Sequence, residues 1–148
     1  MEREIDLVRE NYQRIQEAVR NAAVRCGRDP EEIALMAVTK TVAPELVNCA
    51  VDCGIRLLGE NRVQEFQSKR ESYLPQARVH FIGHLQTNKV KYLVGEVDVI
   101  HSVDRMSLAS EISRCAGKRL IVQDILLEVN IGEEEAKSGF APADIFAA

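Results

Sequence analysis

Hydrophobic residues recur along this sequence with two different periods, and each period predicts a different kind of element. From Ile5 to Cys26 they recur at the spacing of one helix face, and Gly27 follows as a stop signal. Residues 33–39 form a nearly unbroken apolar run, which is typical of a strand covered on both faces in a parallel sheet. Further strands are predicted at 55–58, 79–82, 97–102 and 121–130, and further helices at 44–53, 61–74, 87–94 and 104–116, with another helix starting at 141–146. Asp104 is the expected N-cap of the helix that follows it.

The alternation of strands and helices indicates an α/β fold built from βαβ units on a parallel sheet. Two architectures fit this alternation, a doubly wound sheet and a (β/α)8 barrel. No G-x-G-x-x-G motif follows the first predicted strand, which weakens a dinucleotide-binding interpretation. Nearly every predicted strand has a polar residue just past its C-terminal end, where both architectures bind ligands: Lys40, Glu60, His84, Ser102 and Asn130.

Composition and charge narrow the class of protein. The chain has 148 residues, of which 46% are hydrophobic and 28% are charged, so one domain with a substantial core is expected. A net charge of −4, with both signs interleaved, argues against a nucleic-acid partner. The apolar runs are far shorter than a membrane span of about 20 residues, and the charged N-terminus does not resemble a secretory signal. We therefore expect a cytoplasmic protein with no membrane partner.

The four cysteines, Cys26, Cys49, Cys53 and Cys115, contain no C-x-x-C pair and have no histidine nearby in sequence. A zinc site usually shows paired short spacings, so reduced and mostly buried thiols are expected instead of a metal site.

Lys40 is the sharpest chemical feature, because it directly follows the apolar run that ends at Thr39. Apolar surroundings disfavour the charged form of an amine and free it to attack a carbonyl. The alternative is a lysine that simply leaves a buried strand for solvent.

The other strand-end residues each have a structural and a ligand-binding interpretation. Asn61 either caps the next helix or directs its amide towards a ligand. His84 is interpreted as a hydrogen-bonding group near the same edge, because Gly83 interrupts the strand between it and His80 and so argues against a metal pair. Either His101 or Ser102 is expected to point inward, and Asn130 ends the fifth predicted strand. Lys137 lies in a charged loop and is either solvated or a second amine beside a cavity.

Several segments together closely resemble the pyridoxal phosphate homeostasis protein family, also called the YggS/PROSC-type family. The resemblance covers essentially the whole chain, and it rests on segments that occur in the family's order: Ala37–Thr41, Gly59–Glu65, His80–Lys89, Ile100–Arg105, Val129–Gly132 and Lys137–Gly139. Thr39 stands where serine is common in the family, and Arg62 where tyrosine is common.

The resemblance implies a fold and a function. The implied fold is a (β/α)8 TIM-type barrel like that of alanine racemase (PLP fold type III), truncated here after about five strands and carrying an extra N-terminal helix. Residues 1–148 would then be the N-terminal portion of a single domain that binds pyridoxal 5′-phosphate (PLP). Lys40 would hold PLP as a Schiff base, with Asn61 near the cofactor. The full set of expected cofactor-binding residues is Lys40, Asn61, His84, Ser102, Asn130 and Lys137.

The implied role is intracellular PLP homeostasis and supply without clear catalytic turnover. PLP-requiring apo-enzymes are the candidate recipients, and a monomer or weak dimer is expected. Because barrels commonly bind phosphate after strands seven and eight, these 148 residues alone are expected to hold PLP weakly. The alternatives are a PLP-dependent amino-acid racemase or related enzyme, and an interaction module with a vestigial pocket.

Overall fold

A computed structural model describes residues 2–134 and 136–145, which divide into two compact units. The first unit comprises the chain up to Gly59 together with Ser68–Arg78, and the second comprises Glu60–Gln67 together with the chain from Val79 onwards. The helices are α1 (Glu2–Arg25), α2 (Pro44–Cys53), α3 (Val63–Lys69) and α4 (Met106–Arg119), and the strands are β1 (Met36–Val38), β2 (Leu57–Glu60), β3 (Arg78–Phe81), β4 (Val99–Val103) and β5 (Asp124–Leu127).

The first unit is built by packing α1 against α2 beside the parallel pair β1–β2. Helix α2 starts with Pro44, whose fixed φ suits the first helical turn, and ends at Cys53, followed by Gly54 as C-cap with a φ of 124° that only glycine adopts readily. In the pair, Ala37 lies opposite Leu58, and Leu58 is fully buried. The sequence signals at both ends of α2 and the burial of apolar residues therefore favour the same elements in this unit.

The second unit contains the parallel strands β3, β4 and β5. Phe81 lies opposite Ile100, and Ile100 lies opposite Ile125 in turn. The first two of these side chains are fully buried, and Leu108 and Ile112 on α4 are also buried. An irregularity in the β4–β5 register between Ile100 and Val103 shifts the pairing near the end of β4.

The strand order decides between the two architectures that the sequence leaves open. The five strands follow one another in the sheet in chain order, β1-β2-β3-β4-β5. A doubly wound sheet reverses its order at a switch point, whereas a barrel adds each strand beside the last. The α/β class and the barrel-type order expected from the sequence are confirmed.

Several predicted boundaries are wrong, for local reasons. Residues 87–94 do not form an α-helix: Thr87–Tyr92 is a 3₁₀ helix, and Gly95 with φ 77° ends the segment. Asp104 is not an N-cap, because α4 starts at Met106 and Arg105 occupies the cap position. At the end of the described chain, Pro142–Asp144 is a 3₁₀ turn, and Phe146 of the predicted last helix lies outside the described residues.

The predicted strands at 33–39 and 121–130 are both longer than the observed ones. Pro30–Glu32 forms a 3₁₀ turn before β1. Before β5, the Gln123 side chain accepts a hydrogen bond from the Gly95 N–H and donates to the Val97 and Asp98 carbonyls, so this position uses its side chain to join the preceding loop.

Of the four cysteines, Cys49 and Cys115 are buried, Cys53 is half-buried and Cys26 is exposed; none is in a disulfide. Among the helices of the described residues, none is both long and apolar enough to cross a membrane.

Candidate functional site

Lys40 occupies a tight turn directly after β1. The Thr39 carbonyl accepts a hydrogen bond from the Val42 N–H at 3.1 Å, which closes the turn over Lys40 and Thr41. Thr41 has a φ of 61°, an uncommon and strained conformation for a β-branched residue. Thr39 is buried and its N–H donates to the Gly59 carbonyl at 3.0 Å, whereas Lys40 is exposed. An accessible amine therefore projects from a turn that is anchored to the sheet.

Asn61 follows β2 and carries an unsatisfied acceptor. Its side-chain Oδ1 is buried and has no hydrogen-bond partner in the described part of the chain. An N-cap side chain would accept a bond from the first turn of its helix, so Asn61 does not cap α3. A buried acceptor without a partner costs free energy, and it marks a position where a ligand could supply the missing donor.

Gly83 is the common neighbour of three predicted site residues in the second unit. It precedes His84, its backbone packs against that of Asn61, and its carbonyl accepts a hydrogen bond from the Ser102 hydroxyl. A Cβ atom at Gly83 would lie 2.2 Å from the Asn61 carbonyl oxygen. The structure thus brings Asn61, His84 and Ser102 together around one glycine, with the Ser102 side chain buried.

An ion-pair cluster holds the loop that carries His84. The Asp104 carboxylate, only 6% exposed, pairs with the Arg105 guanidinium, and its Oδ2 lies 3.6 Å from His84 Nδ1. Arg105 Nη2 also donates to the Leu85 carbonyl at 3.3 Å and to Thr87 Oγ1 at 3.2 Å. The 3₁₀ helix and the preceding loop are therefore tied to the end of β4, and the exposed His84 ring is held beside a buried carboxylate.

Asn130 and Lys137 lie together in the loop after β5, but each contacts its own loop. Asn130 Nδ2 donates to the Glu134 carbonyl at 2.9 Å, and its Oδ1 accepts from the Glu134 N–H at 3.3 Å. Lys137 Nζ pairs with Glu134 Oε1 at 2.6 Å and is exposed. This loop lines an open cavity of about 470 Å³. Cofactor binding by these two residues stays a prediction, because a ligand would have to compete with these internal contacts.

Sequence reasoning missed three features of these regions. Asp104 was interpreted only as a helix cap, yet it pairs with Arg105. Lys69, at the end of α3, donates to the Thr39 carbonyl beside Lys40. His80 Nδ1 and His101 Nε2 lie 2.9 Å apart on neighbouring strands. In the sequence, an aspartate next to an arginine is a signal for the Asp104–Arg105 pair. The other two contacts depend on the strand register, and the sequence contains no signal for them.

The histidine pair predicts a pH dependence of stability. Burial lowers the pKa of His101 below its ordinary value, so the folded protein favours the neutral ring more than the unfolded chain does. This contribution to the free energy of unfolding is fully present above the unfolded-state pKa of about 6.5 and is lost as the pH falls from there through the lower folded-state pKa. Urea unfolding at pH 7.5 and pH 5.5 should show the loss in the wild type and a smaller loss in His101→Gln. Equal pH dependence in His101→Gln and the wild type would contradict the assignment.

Comparisons with known proteins find similar sequences over most of the chain. The family model described as alanine racemase, N-terminal domain, matches residues 5–148. The pyridoxal phosphate homeostasis protein of Aquifex aeolicus is 47% identical over 137 residues, which cover 92% of this chain and 60% of that protein. The chain thus spans about 60% of the length of this curated relative.

Two solved structures are similar over most of the chain. A protein from Bifidobacterium adolescentis has a TM-score of 0.90 and 34% identity, covering 97% of this chain and 63% of that one. PipY of Synechococcus elongatus with PLP bound has a TM-score of 0.69 and 33% identity, covering 86% of this chain and 59% of that one. The predicted resemblance to pyridoxal phosphate homeostasis proteins is confirmed.

Proposed function

The chain belongs to the alanine racemase N-terminal domain family, and from this premise we propose that it binds PLP as a Schiff base on Lys40. The observation that carries the proposal is the turn after β1, which presents an exposed amine from an anchored backbone. Lys40 follows the C-terminal end of its strand, and barrel proteins bind their ligands at this end of the sheet. Similarity to PipY, whose structure contains PLP, supports the choice of ligand.

In each unit taken by itself, the residues carry groups that suit such a ligand. When bound, PLP supplies an aldehyde: the lone pair of the Lys40 amine attacks the carbonyl carbon, a C=N bond forms, and the oxygen leaves as water. The unpartnered Oδ1 of Asn61 is an acceptor that fits a hydroxyl or protonated nitrogen of the ligand. His84 and Ser102, which share Gly83 with Asn61, add further polar groups. By the same resemblance, Asn130 and Lys137 complete the proposed set, in a single domain of which residues 1–148 are the N-terminal portion.

The proposed role is PLP homeostasis and supply in the cytoplasm, with PLP-requiring apo-enzymes as recipients. The name of the Aquifex relative, pyridoxal phosphate homeostasis protein, supports a homeostatic role. A bond that forms and hydrolyses reversibly suits a carrier, because binding and release need no further chemistry.

The alternative, a PLP-dependent racemase, is favoured by one observation. The His84 ring lies beside the Asp104 carboxylate, and such a pair can exchange a proton as acid and base. Formation of the opposite enantiomer from alanine and other amino acids, above a protein-free PLP control, would support the racemase instead.

Reduction with borohydride after incubation with PLP tests the attachment site. Borohydride converts a reversible C=N bond to a stable amine, so even weak binding is captured. Peptide mass mapping should find Lys40 as the dominant labelled lysine, and this label should be absent in Lys40→Ala. Lys137→Ala is the matched control and should keep the label on Lys40. Label found mainly on Lys137, or spread evenly over exposed lysines, would overturn the proposal.

A further inference from the structure

A second lysine holds the backbone beside Lys40. Lys69 Nζ, at the C-terminal end of α3, donates to the Thr39 carbonyl oxygen at 3.1 Å. The same oxygen accepts the Val42 N–H at 3.1 Å, which closes the turn. Lys69 is half-buried and Thr39 is 4% exposed, so this bond is largely shielded from water. The peptide group that joins Thr39 to Lys40 is thus fixed from outside the turn by an ammonium group.

We propose that Lys69 is a positioning residue for Lys40, an inference that rests on the proposed function of Lys40 as the cofactor lysine. The direction in which the Lys40 side chain leaves the backbone is set by the turn. That turn includes Thr41 at a φ of 61°, and strained residues keep such conformations only where their surroundings hold them. A charge-assisted bond to the Thr39 carbonyl is one such restraint, and it is stronger than a bond between neutral groups.

A backbone hydrogen bond of Thr39 distinguishes the positioning role of Lys69 from a general contribution to the stability of the core. The Thr39 N–H is bonded to the Gly59 carbonyl at 3.0 Å, so β1 remains paired with β2 without Lys69. Loss of the ammonium removes one of the hydrogen bonds to the Thr39 carbonyl oxygen and lets the Thr39–Lys40 peptide rotate more freely. We therefore expect the Lys40 amine to be held less precisely while β1 remains paired with β2.

The test compares Lys69→Met, which removes the donor but keeps the length of the side chain, with Lys69→Arg, which keeps a cationic donor. The rate of PLP-dependent, borohydride-trapped labelling of Lys40 should fall about tenfold or more in Lys69→Met, within the range that misplacement of a reacting group costs. Lys69→Arg should recover most of that rate. Lys118→Met, at an exposed lysine on α4, is the matched control and should label Lys40 as the wild type does.

A second readout does not depend on PLP. In the cofactor-free protein, competitive acetylation with trace acetic anhydride reports the reactivity of Lys40 relative to Lys118. This ratio should change in Lys69→Met and return in Lys69→Arg, whereas a role in stability alone would leave it unchanged while the melting temperature fell. If Lys69→Met does not fold, Lys69→Gln, which keeps a shorter neutral donor, takes its place in both assays.

The outcomes are distinguishable from those of the proposed function. Wild-type protein without a Lys40 adduct would overturn the proposed function and this inference together, before any variant is compared. A wild-type adduct on Lys40, with equal labelling rates and equal acetylation ratios in folded Lys69→Met, would leave the proposed function intact and overturn only the positioning role.

Discussion

Replacement of Gly83 by alanine is expected to lower the free energy of unfolding by about 3 kcal/mol, at the upper end of typical overpacking costs. The added Cβ would lie 2.2 Å from the Asn61 carbonyl oxygen, 2.7 Å from its Cα and 2.8 Å from its carbonyl carbon. All three are backbone atoms, so no flexible side chain can swing away to relieve the clash. Either the loop after β3 or the segment after β2 has to move.

The matched control is Gly117→Ala in α4. No atom lies within 4 Å of a Cβ at Gly117, and alanine forms helices better than glycine by up to about 1 kcal/mol, so this variant should be slightly more stable than the wild type. Urea unfolding followed by circular dichroism measures both. Equal stability of Gly83→Ala and wild type would show that the close approach of Gly83 to Asn61 is not a constraint on the fold.

The helices of the first unit could be predicted well because their signals are local. The sequence predicts α2 at residues 44–53 and the structure has it at Pro44–Cys53, since a proline suits the first turn and a glycine with positive φ ends the last. Strand limits were predicted less well, because an apolar residue need not lie in a strand. Leu120 and Val122 lie within or beside the predicted fifth strand, yet they are 93% and 91% exposed and precede β5.

In the candidate site, too, the residues visible in one segment of the sequence could be predicted, whereas the contacts between distant segments could not. A polar residue after a strand is visible in the sequence, and Lys40, Asn61, His84 and Ser102 were identified in that way. The contacts that hold such residues join positions far apart in the chain, such as Lys69 with Thr39 and Ser102 with Gly83. They depend on how distant segments are aligned and on the rotamers of the side chains, and the hydrophobic periodicity of one segment fixes neither.

Truncation of Leu85 is expected to have a second large effect, because this residue joins the site loop to the core. Leu85 follows His84, its side chain is fully buried, and its carbonyl accepts a hydrogen bond from Arg105 Nη2 at 3.3 Å. Leu85→Ala should lower the free energy of unfolding by about 3 kcal/mol, since burial is lost and a cavity remains.

Leu120→Ala makes the same chemical change at a side chain that is 93% exposed, and its effect should be within about 0.5 kcal/mol. Urea unfolding of both variants at pH 7.5, with the slope of free energy against urea compared with the wild type, separates lost stability from a change in the unfolded state. A smaller slope in Leu85→Ala alone would mean that the loop after β3 has already opened in the folded variant. Equal midpoints for Leu85→Ala and Leu120→Ala would instead show that Leu85 contributes nothing to the core.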